Sequence, residues 1–365
     1  MLRVLPLLVV LAACPAPRPK PPRPLPPGGT HELSFVRVTS LAEIPRDPPA
    51  PGTYRIHLID VGTGLSVLVQ GADFTLLYDA GTNDREEPQA RVVQYLRAAL
   101  GPSGDSLCGG PDGEPAAPDL AIDHVVLSHP HLDHGSALDL VLHCYQVRQF
   151  WDSGAVNETV FYRELVSAIA REAGLVYRTA ADVPASREVT VKGETFRVPA
   201  WERFSDGDRV ELGAGAAFTI LHAEGKKRKD FNENSVVIAV SLGPARLLLV
   251  GDAESGARKD PSYPVGDVEE YLIDHHPKEL RADILQVGHH GSMTSSRRAF
   301  LEAVRARLAL VSSGPKRYGK ITLPDPEVIE ELTRQGMTVL RTDEHDATCD
   351  GGPGGCDSWV ITIRP

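Results

Sequence analysis

The sequence predicts an α/β protein in which two mixed sheets pack face to face with helices on their outer sides. Three observations lead there. Short apolar strands bounded by Gly turns recur along the chain, and amphipathic stretches at helical spacing separate most of the strand groups. The second half then repeats the rhythm of the first without an internal linker, which points to one layered domain. Hydrophobic content of 42% and charged content of 24% are ordinary for a globular chain of 365 residues.

The N-terminus, "MLRVLPLLVVLAACPAP", has one early cation (Arg3) and an apolar run from Val4 to Ala13 that is too short to span a bilayer. Residues 1–13 therefore read as a secretory signal peptide. "LAAC" resembles the bacterial lipobox, which would make Cys14 a lipidated mature N-terminus. The Pro-rich segment that follows favours extended polyproline II, and residues 14–50 are expected to be a semi-rigid stalk. This order predicts a lipid-anchored protein of the bacterial cell envelope, on the outer membrane or a periplasmic face, with a catalytic head over residues 51–365. Export also accounts for the cysteines. Beyond Cys14 there are Cys108, Cys144, Cys349 and Cys356, expected as the disulfides Cys108–Cys144 and Cys349–Cys356.

Along the head, "YRIHLIDVGTGLSVLVQGADFTLLYDAG" reads as three strands and "PQARVVQYLRAAL" as a helix. "IDHVVLS" is a strand running straight into histidines; "ALDLVLHCYQ" and "VFYRELVSAIAREAG" are helices, "VRQFWDSG" and "LVYRT" strands. Hairpins follow at "DRVELGAGAAFTILHAEG" and "NSVVIAVSLGPARLLLVGDAE". The remaining strands are "ADILQV", "LALVSSG", "MTVLRTDE" and "SWVITIRP", with helices at "SRRAFLEAVRA" and "PDPEVIEELTRQG".

The chemistry concentrates in "SHPHLDHGS". In an extended loop, positions two apart face the same way, so His129 and His131 can meet one metal ion. Asp133 and His134, where the loop turns into a helix, can face a second. Neutral imidazole and carboxylate suit zinc, with manganese or iron as alternatives. "LLLVGDAE" brings Asp252, and "LQVGHHGS" brings His289 and His290, each from the end of an apolar strand. Two divalent ions so held would lower the pKa of a bridging water and stabilise an oxyanion.

The stretches "HLIDVGTG", "LLYDAG", "VVLSHPHLDHGSAL", "NENSVVIAV", "LLLVGDAE", "ADILQVGHHGSMTSS" and "VLRTDE" resemble the metallo-β-lactamase fold, an αββα sandwich. More narrowly, they resemble the hydrolase domain of ComEC-type competence (DNA-uptake) proteins and its stand-alone relatives. The resemblance implies that His129 and His131 serve one metal, Asp133 and His134 the other, and that Asp252 bridges. It implies that Asp79 orients a ligand imidazole, and that one of His289 and His290 closes the site while the other acts on substrate. Asp133, His290 and Asp79 are the expected catalytic residues. The chain departs from the family at Leu65, where an acid is usual, and at Gln286, where a lysine is usual. His222 falls near a further ligand position of many metallo-β-lactamases that competence-type domains often lack.

Substrate contacts are expected from basic loops. Lys226, Lys227, Arg228 and Lys229 precede "NENS", "SSRR" follows the paired histidines, and "GPKRYGK" follows the next strand. Asn234 and Ser292 join the candidate contacts. A formal net charge of -11 opposes a nucleic-acid coat, so nucleic acid is expected to bind weakly if at all. His57 and His124 read as structural, His275 and His276 as surface, His31 as linker, and His143 and His345 have no evident partner. The expectation is an exported dimetal hydrolase of a small phosphodiester. The alternatives are hydrolysis of a lactone, β-lactam or choline-phosphate ester, or a non-catalytic surface binding protein.

Overall fold

A computed structural model describes residues 31–84, 88–102, 108, 120–184, 186–346 and 355–365. The first half contains strands β1 (Glu32–Val38), β2 (Tyr54–Leu58), β3 (Val67–Gln70) and β4 (Thr75–Tyr78), then helix α1 (Pro88–Leu100). Strand β5 (Ala121–Val126) leads to α2 (Leu132–Gly135) and α3 (Leu138–Cys144), followed by β6 (Gln146–Asp152), α4 (Val160–Arg171) and β7 (Val176–Ala180). A small hairpin, β8 (Glu188–Val191) and β9 (Glu194–Arg197), precedes β10 (Ala200–Phe204).

The second half comprises β11 (Arg209–Gly213), β12 (Ala216–His222), β13 (Val237–Leu242), β14 (Ala245–Leu249), α5 (Asp267–His275), β15 (Ile284–Gln286) and α6 (Arg298–Val304). It ends with β16 (Leu308–Val311), the short hairpin β17 (Arg317–Tyr318) and β18 (Ile321–Thr322), α7 (Pro326–Arg334), β19 (Thr338–Arg341) and β20 (Ser358–Arg364).

Nine strands form one sheet in the order β1-β20-β2-β3-β4-β5-β6-β7-β10, and seven form the other as β11-β12-β13-β14-β15-β16-β19. Alternation along each strand builds three apolar layers. In β13, Ile238 and Val240 join Ile56, Val67 and Leu247 between the sheets, while Val237 and Ala239 turn outward onto α5, α6 and α7. In β3, Leu68 turns outward onto α1, α3 and α4. The αββα sandwich expected from the sequence is the fold.

Each sheet is antiparallel at one side and parallel at the other: β4-β5-β6-β7-β10 and β14-β15-β16-β19 run parallel. Parallel neighbours need long crossovers, which helices supply everywhere except between β7 and β10, where the β8–β9 hairpin intervenes, and the crossovers return the chain so that the carboxyl ends of β4, β5, β14, β15 and β16 share one edge. Asp79, the histidine loop, Asp252 and the paired histidines all follow these strand ends.

Three expectations need correction. Within the 14–50 segment read as stalk, Glu32–Val38 is strand β1, paired along its length with β20. Leu33 and Phe35 pack against the inter-sheet core, so the alternation of "ELSFVRV" outweighs the neighbouring prolines. His31 accordingly lies beside Asp283 at 3.5 Å, with Arg307 2.7 Å from its ring. His345 does have a partner, since its Nδ1 lies 2.7 Å from Asp357. The disulfide Cys108–Cys144 is formed. Cys14 and Cys349 lie outside the described residues, and among those described no helix is long and apolar enough to cross a membrane.

Candidate metal centre

The histidine loop is held from beneath by backbone packing that tolerates no side chains. A Cβ on Gly81 would meet the backbone of Asp133, His134 and Gly135 at 2.5 Å, and one on Gly64 would meet the carbonyl oxygen of Gly81 at 2.1 Å. The "DVGTG" and "DAG" turns therefore press directly against α2. Leu65, where an acid is usual, joins the inter-sheet core and donates its backbone N–H to the carbonyl oxygen of Asp133.

Asp252 is the hub. Its Oδ1 lies 3.2 Å from His134 Nε2, and its Oδ2 lies 3.9 Å from His129 Nε2, 3.8 Å from His289 Nε2 and 3.6 Å from His290 Nε2. His129 and His131 face each other, with Nε2 and Nδ1 2.9 Å apart. Two groups bring ligand atoms within 4.8 Å of one another: His129, His134 and Asp252, and Asp133, His134 and His290. His134 stands in both, so the cluster is more compact than the division into two residue pairs implies.

The surroundings aim each ring. Asp79 takes Ser128 N–H on Oδ1 and both Ser128 Oγ and His134 Nδ1 on Oδ2, leaving His134 Nε2 toward Asp252. His290 Nδ1 donates to the carbonyl oxygen of Ser312, so its Nε2 is the inward nitrogen. His289 Nδ1 sits 2.8 Å from both Glu254 Oε1 and Thr294 Oγ1. Both histidines are left-handed, with φ of 46° and 52°, a strained backbone that turns two adjacent rings onto one carboxylate. Sequence alone left open which of them faces the site. Both do.

Three atoms here are buried and make no well-formed hydrogen bond: His290 Nε2, and His134 Nε2 and Asp252 Oδ1, which face each other at 3.2 Å. Buried polar atoms are nearly always paired, and these three belong to the residues that would ligate a cation. Asp79, Asp133 and Asp252 also place three carboxylates around the imidazoles. Burial alone would depress the His134 imidazole, yet Asp252 and Asp79 hold it well above the usual histidine range. Burial would likewise raise Asp252, but His134, His290 and His289 hold its carboxyl well below the usual carboxylate range. The donor set of imidazole and carboxylate fits divalent metal, with His129, His131, Asp133, His134, Asp252, His289 and His290 as the available ligands.

Two partners were not anticipated. Asn83 donates to Asp133 Oδ2 at 2.7 Å, and the Tyr318 hydroxyl lies 3.3 Å from the same oxygen. Tyr318 stands inside the "GPKRYGK" run, where attention to charge hides it. A cleft of about 760 Å³ opens on the cluster, and His131, Asp133, Asp252, His289, Asn83 and Tyr318 line it.

The expected substrate contacts are rearranged. Asn234 is buried and spends its side chain on the loop, donating to the carbonyl oxygens of Glu224 and Lys226 and accepting from Arg228 N–H. Ser292 is buried under Arg258 and Thr294. Arg297 is buried against backbone carbonyls and Arg298 pairs with Glu331, so "SSRR" offers no free cations. Arg228 pairs with Glu224 and lines a separate cleft of about 550 Å³ together with His222. His222 Nδ1 is held by the carbonyl oxygen of Ser235, and His222 belongs to neither ligand group. Lys226 and Lys229 are exposed, and Lys227 sits 4.7 Å from the Phe231 ring, which itself abuts His131. Gln286 is buried and clamps two strand ends, accepting from Val250 and Gly251 N–H and donating to the carbonyl oxygens of Gly251 and Val287.

An αββα sandwich with a histidine–aspartate cluster on the carboxyl edge of its parallel strands is the architecture of a metal-dependent hydrolase. The chain belongs to the Metallo-beta-lactamase superfamily, whose pattern it matches over residues 59–314. It is 27% identical over 360 residues to competence protein ComA of Neisseria gonorrhoeae, covering 98% of this chain and 40% of that protein. It is 25% identical over 305 residues to the uncharacterized protein YcaI of Escherichia coli K12 (82% and 30% covered). It is 25% identical over 292 residues to recombination protein 2 of Haemophilus influenzae (80% and 28% covered). The chain thus spans well under half the length of these relatives. The metallo-beta-lactamase fold protein YhfI from Bacillus subtilis matches 84% of this chain and 99% of its own at 14% identity, with a TM-score of 0.41.

Proposed function

We propose that the protein is an exported, metal-dependent hydrolase of a small phosphodiester. The observation that carries the catalytic part is the convergence of three buried atoms that make no hydrogen bond, His134 Nε2, His290 Nε2 and Asp252 Oδ1, on a carboxylate, Asp252, that lines the cleft. Divalent ions bound there would supply Lewis acidity and a nucleophile at neutral pH. The chain's own groups do the positioning. Asp79 fixes the His134 ring, Asn83 and Tyr318 fix the Asp133 carboxylate, and Glu254 with Thr294 fixes His289. Burial and the neighbouring Asp133 push ionisation of the Tyr318 hydroxyl upward, so it stays an O–H donor at the cleft wall.

A singly charged ester suits this cleft better than a polyanion because, among the described residues, no Lys or Arg lines it. The same observation favours a second reading, a neutral ester such as a lactone, over long nucleic acid. Hydrolysis of bis-p-nitrophenyl phosphate that is lost on chelation and restored by zinc or manganese supports the first. Faster turnover of a lactone or β-lactam, with phosphodiesters inert, replaces it with the second. Membrane attachment through Cys14 belongs to this proposal and rests on "LAAC". Similarity to competence proteins agrees with a place in the cell envelope. Cys14→Ser should release the protein from membranes, and an unchanged membrane fraction rejects the anchor.

A further inference from the structure

The mouth of the cleft leaves apolar surface uncovered. Among the described residues five large hydrophobic side chains are exposed, and three of them line this one cleft: Val160 at 52%, Leu132 at 39% and Tyr318 at 38%. They come from separate elements. Leu132 opens α2, Val160 and the half-buried Phe161 open α4, and Tyr318 ends β17. Scattered exposed hydrophobics need no explanation, but a group gathered from three elements onto one cleft marks a binding surface.

Charge narrows what binds there. Besides Asp133 and Asp252, the lining carries the carboxylates Glu164 and Asp230 and, among the described residues, no Lys or Arg. Lys316, 5.2 Å from the Tyr318 ring centroid, is the nearby cation on that side, and it is absent from the lining. A polyanion entering the cleft would meet four lining carboxylates, of which Glu164 has Arg163 at 3.7 Å and Asp230 has His131 at 3.8 Å. An uncharged group would instead meet two aromatic rings and two aliphatic side chains, and rings favour aromatic partners by their edge and face geometry.

We propose that the cleft holds an uncharged aryl substituent of the substrate between Tyr318 and the lip formed by Leu132, Val160 and Phe161. This places one ester at the metal cluster and a neutral ring at the mouth, and it rests on the reading of the cleft as the hydrolytic site.

Two measurements on the full chain test it. In the first, phenyl p-nitrophenyl phosphate and methyl p-nitrophenyl phosphate, which share a leaving group and a charge, are compared. The aryl ester should have a KM about tenfold lower, and Val160→Asp should bring the two close together. Equal KM values in the wild type overturn the proposal. The second needs no turnover: saturation-transfer NMR with acetanilide should give ring signals in the wild type that fall in Val160→Asp. If neither phosphate ester is cleaved while acetanilide binds in this way, the phosphodiester reading fails and the aryl site stands. Acetanilide signals absent from the wild type, or unchanged by Val160→Asp, reject the aryl site whatever the esters do.

Discussion

Asp79 Oδ2 lies 2.7 Å from His134 Nδ1, and both side chains are fully buried. The carboxylate accepts from Nδ1 and turns Nε2 toward Asp252, which leaves Nε2 as the nitrogen that would face a metal. Such partners of metal-binding imidazoles fix both tautomer and orientation.

Asp79→Asn should therefore weaken divalent metal binding by about 10- to 100-fold, because an amide N–H facing Nδ1 selects the wrong tautomer. Zinc titration with a competing chelator measures this directly. Wild-type affinity in the variant would remove Asp79 from the account.

Gln286 gives a test of the scaffold beneath the site. Its Oε1 accepts both Val250 and Gly251 N–H at 2.8 Å, immediately before Asp252. Gln286→Lys has no acceptor, so two buried donors lose their partner at about 1–3 kcal/mol each. Urea denaturation should show a lower midpoint for Gln286→Lys and a milder loss for Gln286→Glu, which keeps the acceptors. Equal stability of all three proteins would show that the clamp is dispensable.

Acid sensitivity should come from histidines remote from the metal. Burial pushes His57 and His124 down to about 4. Their hydrogen bonds suit neutral rings: His57 lies between Tyr95 and Gln70, and His124 Nδ1 accepts from Trp151 Nε1. A depressed histidine pKa means the unfolded chain binds more protons between pH 4 and 6.5. Stability is thus complete above pH 6.5 and falls as the pH approaches 4, by of order 1–3 kcal/mol per residue. His57→Leu should lower stability at pH 7 yet flatten its decline from pH 7 to pH 5, read from urea midpoints. A slope as steep as wild type would contradict this.

Much of the fold was legible because its strands are apolar and its punctuation is Gly-rich. The "SHPHLDHGS" loop, Asp79, Asp252 and both histidines of "GHHG" all end strands whose hydrophobic runs are plain. The edge strand Glu32–Val38 was obscured by adjacent prolines and by its own half-exposed pattern. Strands β8, β9 and β10 were missed because they are short and exposed, with few apolar residues to set a period. Substrate residues were the least legible. Charge runs in sequence do not reveal which cations are already paired: Arg298 is committed to Glu331, Arg228 to Glu224, and Arg297 to backbone. Conversely, Tyr318 and Asn83 meet Asp133 only through tertiary folding, and nothing in their local sequence announces it.

The cluster around Asp252 is expected to hold divalent metal. Elemental analysis of the full chain, reconstituted with zinc and freed of loose ions, tests it most directly. The wild type should retain about two ions per chain, the number the paired ligand groups suit, and Asp252→Ala should retain markedly less. A folded wild-type protein that retains no divalent metal, or an Asp252→Ala variant with the full wild-type content, would contradict the account.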